Sequence, residues 1–508
     1  KNIKEDIMTY IPLPRALPHE RGVDPAGIAD FIQAVSLAGL ELHSFMLYRQ
    51  GAVVVEAFWQ PYSAHRMHVQ HSATKSWTAT AIGLLVDDGR LRLDAKVVSF
   101  FPELCPQPIS ANLAAMTVED LLTMRTGHAR GISGGDWRNL QSSWVEAFLN
   151  EPVDEPPGQA FIYSSASSFM LSAIVTQVTG QTMHALLQAR VLDYLGLDKL
   201  AWDLAPGGFN AGGNGLSCTS EDALKFGVLH LNHGQWQGRQ LLSPQWVAQA
   251  TRNQVQDVWM GEFDGKQYLP RDKNKGNEAQ REGYGYQWWM TEHGGYYASG
   301  VFGQQCMVLP EQDTVIVFTC GLRLGEKRLH QALWQHLFPA LGRTAADAQT
   351  SQMHLDALIE GLRLPGLPGL HASPASAAMQ GRFAIEPNED GVRELAFDFQ
   401  GEHCDFTLVD HRGTHHIRAG LRQPIETTTS MTGNYLHHQY QPEQTQVVAQ
   451  ARWMPEGELH MDWRFVETAF GDHVRCRLLE GRLYCDRGVN TNAGALQRPT
   501  LFGVRTQS

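Results

Sequence analysis

A proline- and glycine-rich stretch, Arg363-Leu-Pro-Gly-Leu-Pro-Gly-Leu-His-Ala-Ser-Pro-Ala-Ser-Ala-Ala378, constrains this chain more than any other single feature. Its composition is that of a linker, and the hydrophobic rhythm changes across it. Before it, β-rich runs and helical runs are mixed; after it, the period is mostly two. In the first part, 44–49 and 52–59 are β-rich runs around the Gln50-Gly51 turn and predict a hairpin. Trp77, Ala81, Leu84 and Leu85 then recur at helical spacing until Asp87-Asp88-Gly89 stops the pattern. Further helices are expected near 117–124, 164–179 and 220–233, and strands at 286–291, 304–309 and 314–319 precede a helical run over 326–341. A sheet built from both ends of this part, with helices inserted between them, is an α/β (α+β) architecture. Beyond the linker, 394–399, 405–409, 447–453, 458–465, 474–479 and 482–486 alternate and are separated by Gly or Pro turns, which predicts an antiparallel barrel or sandwich. No internal repeat is visible.

A length of 508 residues agrees with two or three domains at roughly 150 residues each. Lys and Arg total 41 against 53 Asp and Glu, a formal charge of -12, which argues against binding nucleic acid or an anionic membrane surface. No apolar run is long enough for a spanning helix. Lys1 through Arg15 lacks the apolar core of a signal peptide, and the sequence starts on Lys. That slightly favours a cytoplasmic protein over a periplasmic one whose upstream signal has been removed. The seven cysteines are scattered without a CxxC, so buried free thiols are expected, although Cys306 and Cys320 could meet across a hairpin.

Three segments carry chemistry. Ser72-Ala-Thr-Lys75 puts a hydroxyl and an amine on one face of a helix start, where a lysine can take the proton of a serine nucleophile. The helix N-terminus there also offers N–H groups to a developing oxyanion. Tyr163-Ser-Ser165 follows the rigid Pro156-Pro157-Gly158 turn and can project into the same cleft. Tyr163 becomes a base only if a cation such as Lys75 holds its phenolate; alternatively neutral Lys75 is the base and Tyr163 shuttles the proton. The third segment, Ala298-Ser-Gly-Val-Phe-Gly-Gln304, has small residues that let a strand approach a ligand, with the Val301 N–H joining that of Ser72 in an oxyanion hole.

In this order and spacing the chain resembles the serine β-lactamase and penicillin-binding-protein superfamily. The resemblance is closest to the branch of class C β-lactamases, family VIII carboxylesterases and 6-aminohexanoate-dimer hydrolases. Asp120-Leu-Leu-Thr-Met-Arg-Thr-Gly127, Pro157-Gly-Gln-Ala-Phe-Ile-Tyr-Ser-Ser165 and Gly212-Gly-Asn-Gly-Leu-Ser-Cys-Thr-Ser-Glu-Asp222 are similar to further signatures of that branch. The resemblance implies a β-lactamase/transpeptidase-like antiparallel sheet flanked by helices, plus an all-helical subdomain, over residues 1–345. It implies Ser72 as the acylated nucleophile and Lys75 and Tyr163 as general base and acid. Ser165 stands where the family usually has asparagine, as a contact to substrate or Lys75. Ala298, Ser299, Gly300 and Val301 form the substrate and oxyanion edge. No metal or cofactor is implied. Ala298 replaces the lysine that β-lactamases and peptidases carry there, so a small-molecule ester or amide is the expected substrate. A β-lactamase or D-Ala-D-Ala carboxypeptidase activity and a non-catalytic sensor that keeps the fold are the alternatives. Residues 346–380 are expected to link this unit to a lipocalin-like β-domain over 381–508.

The remaining candidates have plainer readings. His293-Gly294-Gly295 imitates the third motif but reads better as a hairpin turn. The pairs His415-His416 and His437-His438 suggest a metal, but neighbours on a strand point to opposite faces, so surface polar residues are expected. His230 and His233 lack a second ligand pair. Trp288-Trp289 and Tyr296-Tyr297 either line an acyl pocket or pack, with one of each pair inward. The glycines at 207–208 and 212–213 lack the lysine of a phosphate loop.

Overall fold

The computed structural model describes residues 12–197, 199–256, 258–260, 267–268, 279–323, 326–343 and 346–506. The N-terminal residues 1–11, most of the stretch read for a signal peptide, lie outside them. Two compact units emerge: one from residues 1–58, 67–320 and 325–361, the other from 59–66, 321–324 and 362–508.

The first unit is organised by a six-stranded antiparallel sheet in the order Trp289–Met290, Tyr296–Gly300, Gln304–Leu309, Thr314–Cys320, Leu42–Arg49, Ala52–Phe58. The hairpin from one end of the segment pairs with strands from the other through Phe45↔Phe318 and its neighbours, so the sheet closes only after about 230 intervening residues have been laid against it. The central strands are buried along their whole length, which means both faces are covered and the alternation that marks a half-exposed sheet is lost.

The helix Thr74–Asp87 is buried on every side from Thr74 to Leu85. This agrees with its Thr- and Ala-rich composition, because small side chains let neighbours approach all round. Trp77 stacks on Phe226 of the helix Ser220–Leu231 with ring centroids 3.8 Å apart, and Phe226 stacks in turn on Trp288. The helix Ser165–Thr179 packs against the same core. The stretch read as one helix over 326–341 is broken: Glu326–Ala332 is α-helical, Leu333–Leu337 widens, and Phe338–Ala340, which contains Pro339, tightens. Proline removes a donor from the ladder, which accounts for the irregular end.

In the second unit ten antiparallel strands run in the order Gly413–Gly420, His403–Asp410, Glu394–Gln400, Gly381–Ile385, Leu501–Arg505, Arg482–Val489, Gly471–Leu479, Leu459–Phe465, Thr445–Trp453, Ile425–Thr429. A Gly420↔Gln450 pairing closes nine of them into a barrel around Phe383, Phe397, Phe406, Trp453, Trp463 and Val474. Closure removes the open edges that would otherwise invite association. Residues 59–66 also belong here: Tyr62 donates to the Thr468 carbonyl oxygen, and Arg66 makes two 2.7 Å bonds to Glu426.

Several expectations are corrected. Inside the stretch read as a linker, Ala348–Glu360 is a helix, and Leu370 exchanges backbone hydrogen bonds with Trp453 of the barrel. His415 and His437 are 3% exposed rather than surface residues, because each has a carboxylate to meet inside: Asp410 and Asp472. Trp288, Trp289, Tyr296 and Tyr297 are all buried, not one of each pair, since helices cover both faces of that sheet. All seven cysteines are buried and free; Cys306 faces Val317 rather than Cys320, while Cys476 and Cys485 stand opposite one another.

Candidate active site

A strained turn feeds the buried helix at its start. His68–Val69 pairs with Leu216–Cys218, and the chain then turns through His71–Ala73 into Thr74–Asp87. His71 has φ +47°, a left-handed conformation that costs a non-glycine residue roughly 1–3 kcal/mol. Phe302 is also left-handed, at φ +69°, and its ring meets that of His71 edge-on at 5.5 Å. Ser72, between this strained residue and the helix, is half-buried.

Lys75, one turn later, is 1% exposed. Its Nζ lies 3.1 Å from Ser72 Oγ, 3.1 Å from Ser165 Oγ and 2.7 Å from the Gly213 carbonyl oxygen. Burial holds the amine well below the ordinary lysine pKa, and the nearby Arg138 guanidinium lowers it further. A neutral amine has two N–H donors and one lone pair. The Gly213 carbonyl can only accept and Ser165 can accept, so the lone pair is left for the Ser72 hydroxyl proton.

Tyr163 is buried, with its ring centroid 4.8 Å from Lys75 Nζ, within cation–π range when the amine is charged. Trp289 at 5.3 Å and Tyr284 at 6.5 Å wall in the ring. Ser165 opens the helix Ser165–Thr179, and its backbone N–H donates to Ser133 Oγ at 3.0 Å.

On the third segment, alternation along Tyr296–Gly300 separates the expected residues. Ala298 is 1% exposed and packs in the core. The Tyr297 and Ser299 hydroxyls turn the other way and donate to the Glu326 carboxylate at 3.3 and 3.4 Å. A Cβ on Gly300 would sit 2.2 Å from the Gln70 carbonyl oxygen, so the strand meets the turn before Ser72 backbone to backbone. Val301 follows directly, half-buried in the turn back to Gln304. Gly300, with Val301 after it, thus lies against the turn that leads into Ser72, and the Ser299 side chain points to the other face.

Three further groups complete the surroundings of Lys75 and Ser165. The Gly213 carbonyl comes from the glycine-rich turn; a Cβ there would lie 2.6 Å from the Ser165 carbonyl oxygen. Ser133 and Arg138 carry no sequence signal at all. With the Asn214 amide oriented to accept, Arg138 reaches its oxygen at 3.1 Å. His293 lies in the Glu292–Gly294 turn, its ring stacked on Phe338 at 3.9 Å, away from any third-motif role. Among the described residues, no group of three metal-ligating side chains comes together.

Comparison with known proteins adds the following. The family model described as Beta-lactamase matches residues 43–338. The 6-aminohexanoate-dimer hydrolase of Paenarthrobacter ureafaciens is 26% identical over 290 residues, covering 54% of this chain and 71% of the relative. Esterase EstB of Burkholderia gladioli is 31% identical over 172 residues, covering 30% of this chain and only 43% of its own length. Among solved structures, a Bacteroides dorei protein of beta-lactamase type superposes with a TM-score of 0.50 at 16% identity, over 62% of this chain and 99% of its own, which is a likeness of fold.

Proposed function

The chain belongs to the beta-lactamase family and is a hydrolase of that fold, and from this premise we propose that it cleaves an ester or amide bond of a small substrate through an acyl-enzyme on Ser72. The observation that carries the reading is the 3.1 Å approach of the buried Lys75 amine to Ser72 Oγ. Neutral Lys75 takes the hydroxyl proton as Ser72 attacks the substrate carbonyl. The oxyanion is received by the N–H groups of Ser72 and Val301. Tyr163 carries the proton to the leaving group, and water then hydrolyses the ester of Ser72 by the reverse proton path.

The names of the relatives, a 6-aminohexanoate-dimer hydrolase and an esterase, support hydrolysis of an ester or amide. Ala298 sits in the core where a cation for a β-lactam carboxylate would be needed, which disfavours a lactamase or peptidase. Turnover of a cephalosporin far above that of a nitrophenyl ester would reverse this preference.

A fluorophosphonate probe tests the nucleophile on the full chain. Intact-protein mass spectrometry with peptide mapping is expected to find one adduct on the peptide holding Ser72, lost from that peptide in Ser72→Ala. An unlabelled Ser72 peptide in the wild-type chain would end the proposal. Tyr163→Phe keeps the ring packing against Trp289 but removes the hydroxyl. It is expected to lower kcat by about 10²–10⁴, the range of general acid–base catalysis, with KM changed only a few-fold. A wild-type kcat would remove Tyr163 from the proton path.

A further inference from the structure

We infer that the C-terminal barrel holds a second reactive serine, Ser430, activated by His415 and Asp410 beside a solvent-open pocket that takes a small ester. Three strand ends bring the groups together. Asp410 ends His403–Asp410, His415 lies in Gly413–Gly420, and Ser430 follows Ile425–Thr429. His415 Nε2 is 3.0 Å from Asp410 Oδ1, and His415 Nδ1 is 2.8 Å from Ser430 Oγ.

The proton positions follow from the acceptor at one end. Burial raises the Asp410 carboxyl pKa, but the bonds from His415 and from the Arg412 backbone N–H, the latter 2.7 Å long, bring it below the usual carboxylate value. An ionised carboxylate only accepts, so the imidazole proton sits on Nε2. The Nδ1 lone pair then faces Ser430, whose hydroxyl must donate to it. This is the arrangement of a nucleophile, its base and the group that orients the base. His415 is buried while Ser430 is only half-buried, so the base is shielded and the nucleophile is reachable.

The pocket supplies the rest. A cleft open to solvent is lined by Asp410 and His415, the partners in the Ser430 chain, by Met431 next to Ser430, and by Val392, Leu408 and Arg412. Its apolar walls suit an acyl chain, and the Arg412 guanidinium, which donates to Thr432 Oγ1, is the cation nearest a developing oxyanion there. Nothing in the Ser72 reading uses these residues.

In the reaction, the Ser430 proton passes to His415 Nδ1 as Oγ bonds to the ester carbonyl carbon. The bond to the alcohol breaks, and the alcohol leaves with the proton from Nδ1. Water then gives a proton to Nδ1 as its oxygen attacks the acyl-serine carbonyl; the bond to Oγ breaks, Ser430 Oγ takes the proton back from Nδ1, and the carboxylic acid leaves. A fluorophosphonate stops at the first stage: the Oγ–P bond forms, the P–F bond breaks and fluoride leaves.

The test uses the full-length Ser72→Ala chain, probed with a fluorophosphonate and mapped by mass spectrometry. A slower adduct on Ser430 is expected, absent in Ser72→Ala/Ser430→Ala. His415→Gln in the same background is expected to slow Ser430 labelling about 100-fold, the lower end for a lost base. If circular dichroism shows that this variant unfolds the barrel, Asp410→Asn serves instead, with at least about tenfold slowing because the wrong imidazole tautomer is favoured. No adduct on Ser430, or labelling at an unchanged rate in the folded base variant, overturns the proposal and leaves a structural hydrogen-bond chain. Either outcome is independent of whether Ser72 labels in the wild-type chain.

Discussion

Lys75→Met is expected to lower kcat/KM for a nitrophenyl ester by about 10³-fold or more, near the upper part of the range for a lost general base. Methionine fills much of the same volume, so the buried helix Thr74–Asp87 keeps its packing while the amine is lost. The pH dependence carries the sharper information. Burial and Arg138 hold the Lys75 pKa well below its ordinary value, so the neutral base is present from a lower pH than a solvated lysine allows. Activity is expected to rise with pH as Lys75 loses its proton, and to level off above its folded-state pKa. That rising limb should sit well below pH 10, and Lys75→Met should abolish it. A kcat/KM profile with the same limb in the variant would assign the titration to another group. A near-wild-type rate at all pH values would remove Lys75 from the mechanism.

Gly300→Val is expected to remove most activity while the chain still folds. The new Cβ would meet the Gln70 carbonyl oxygen at 2.2 Å and the Gln304 Cβ at 3.1 Å. The first contact is with backbone, so no rotamer change relieves it, and the strand must draw back from the turn that holds Ser72. Misplacement of about 1 Å at reacting groups costs about 10²-fold in rate, and overpacking costs about 1–3 kcal/mol of stability. The expected result is kcat/KM down by about 10² or more with a moderate fall in Tm. Ser299→Ala is the natural control. Its hydroxyl faces Glu326 on the other side of the sheet, and activity should change only a few-fold. If both variants lose activity equally, the two faces of this strand are not separated as the hydrogen bonds place them.

Legibility in the sequence followed the range of the interactions. Gln304–Leu309 and the start of Thr314–Cys320 coincide with the predicted strands, because a short apolar run bounded by turn residues, β-branched in the second strand, is a local signal. The strand Gly413–Gly420 was missed because its inward positions include His415, which breaks the apolar alternation. Ala348–Glu360 was absorbed into the linker because only Leu355 of that helix is buried, so it shows little apolar face. The opposition of Cys476 and Cys485 depends on strand register, which neither cysteine's neighbours reveal.

By itself the sequence determined which residues could react. Ser72 and Lys75 are three apart and need only a helix to face one another, and Tyr163 is marked by its rigid Pro-Pro-Gly approach. The tertiary structure alone decided what surrounds them. It buried Lys75 against the Gly213 carbonyl and Ser165, 138 and 90 residues away, turned Ser299 toward Glu326 and set Gly300 against Gln70. It also brought Asp410, His415 and Ser430 into line. The physical reason is common to all of them. A helix turn is set by neighbours in the chain, whereas desolvation, side-chain direction on a strand and backbone contact depend on which distant segments pack together.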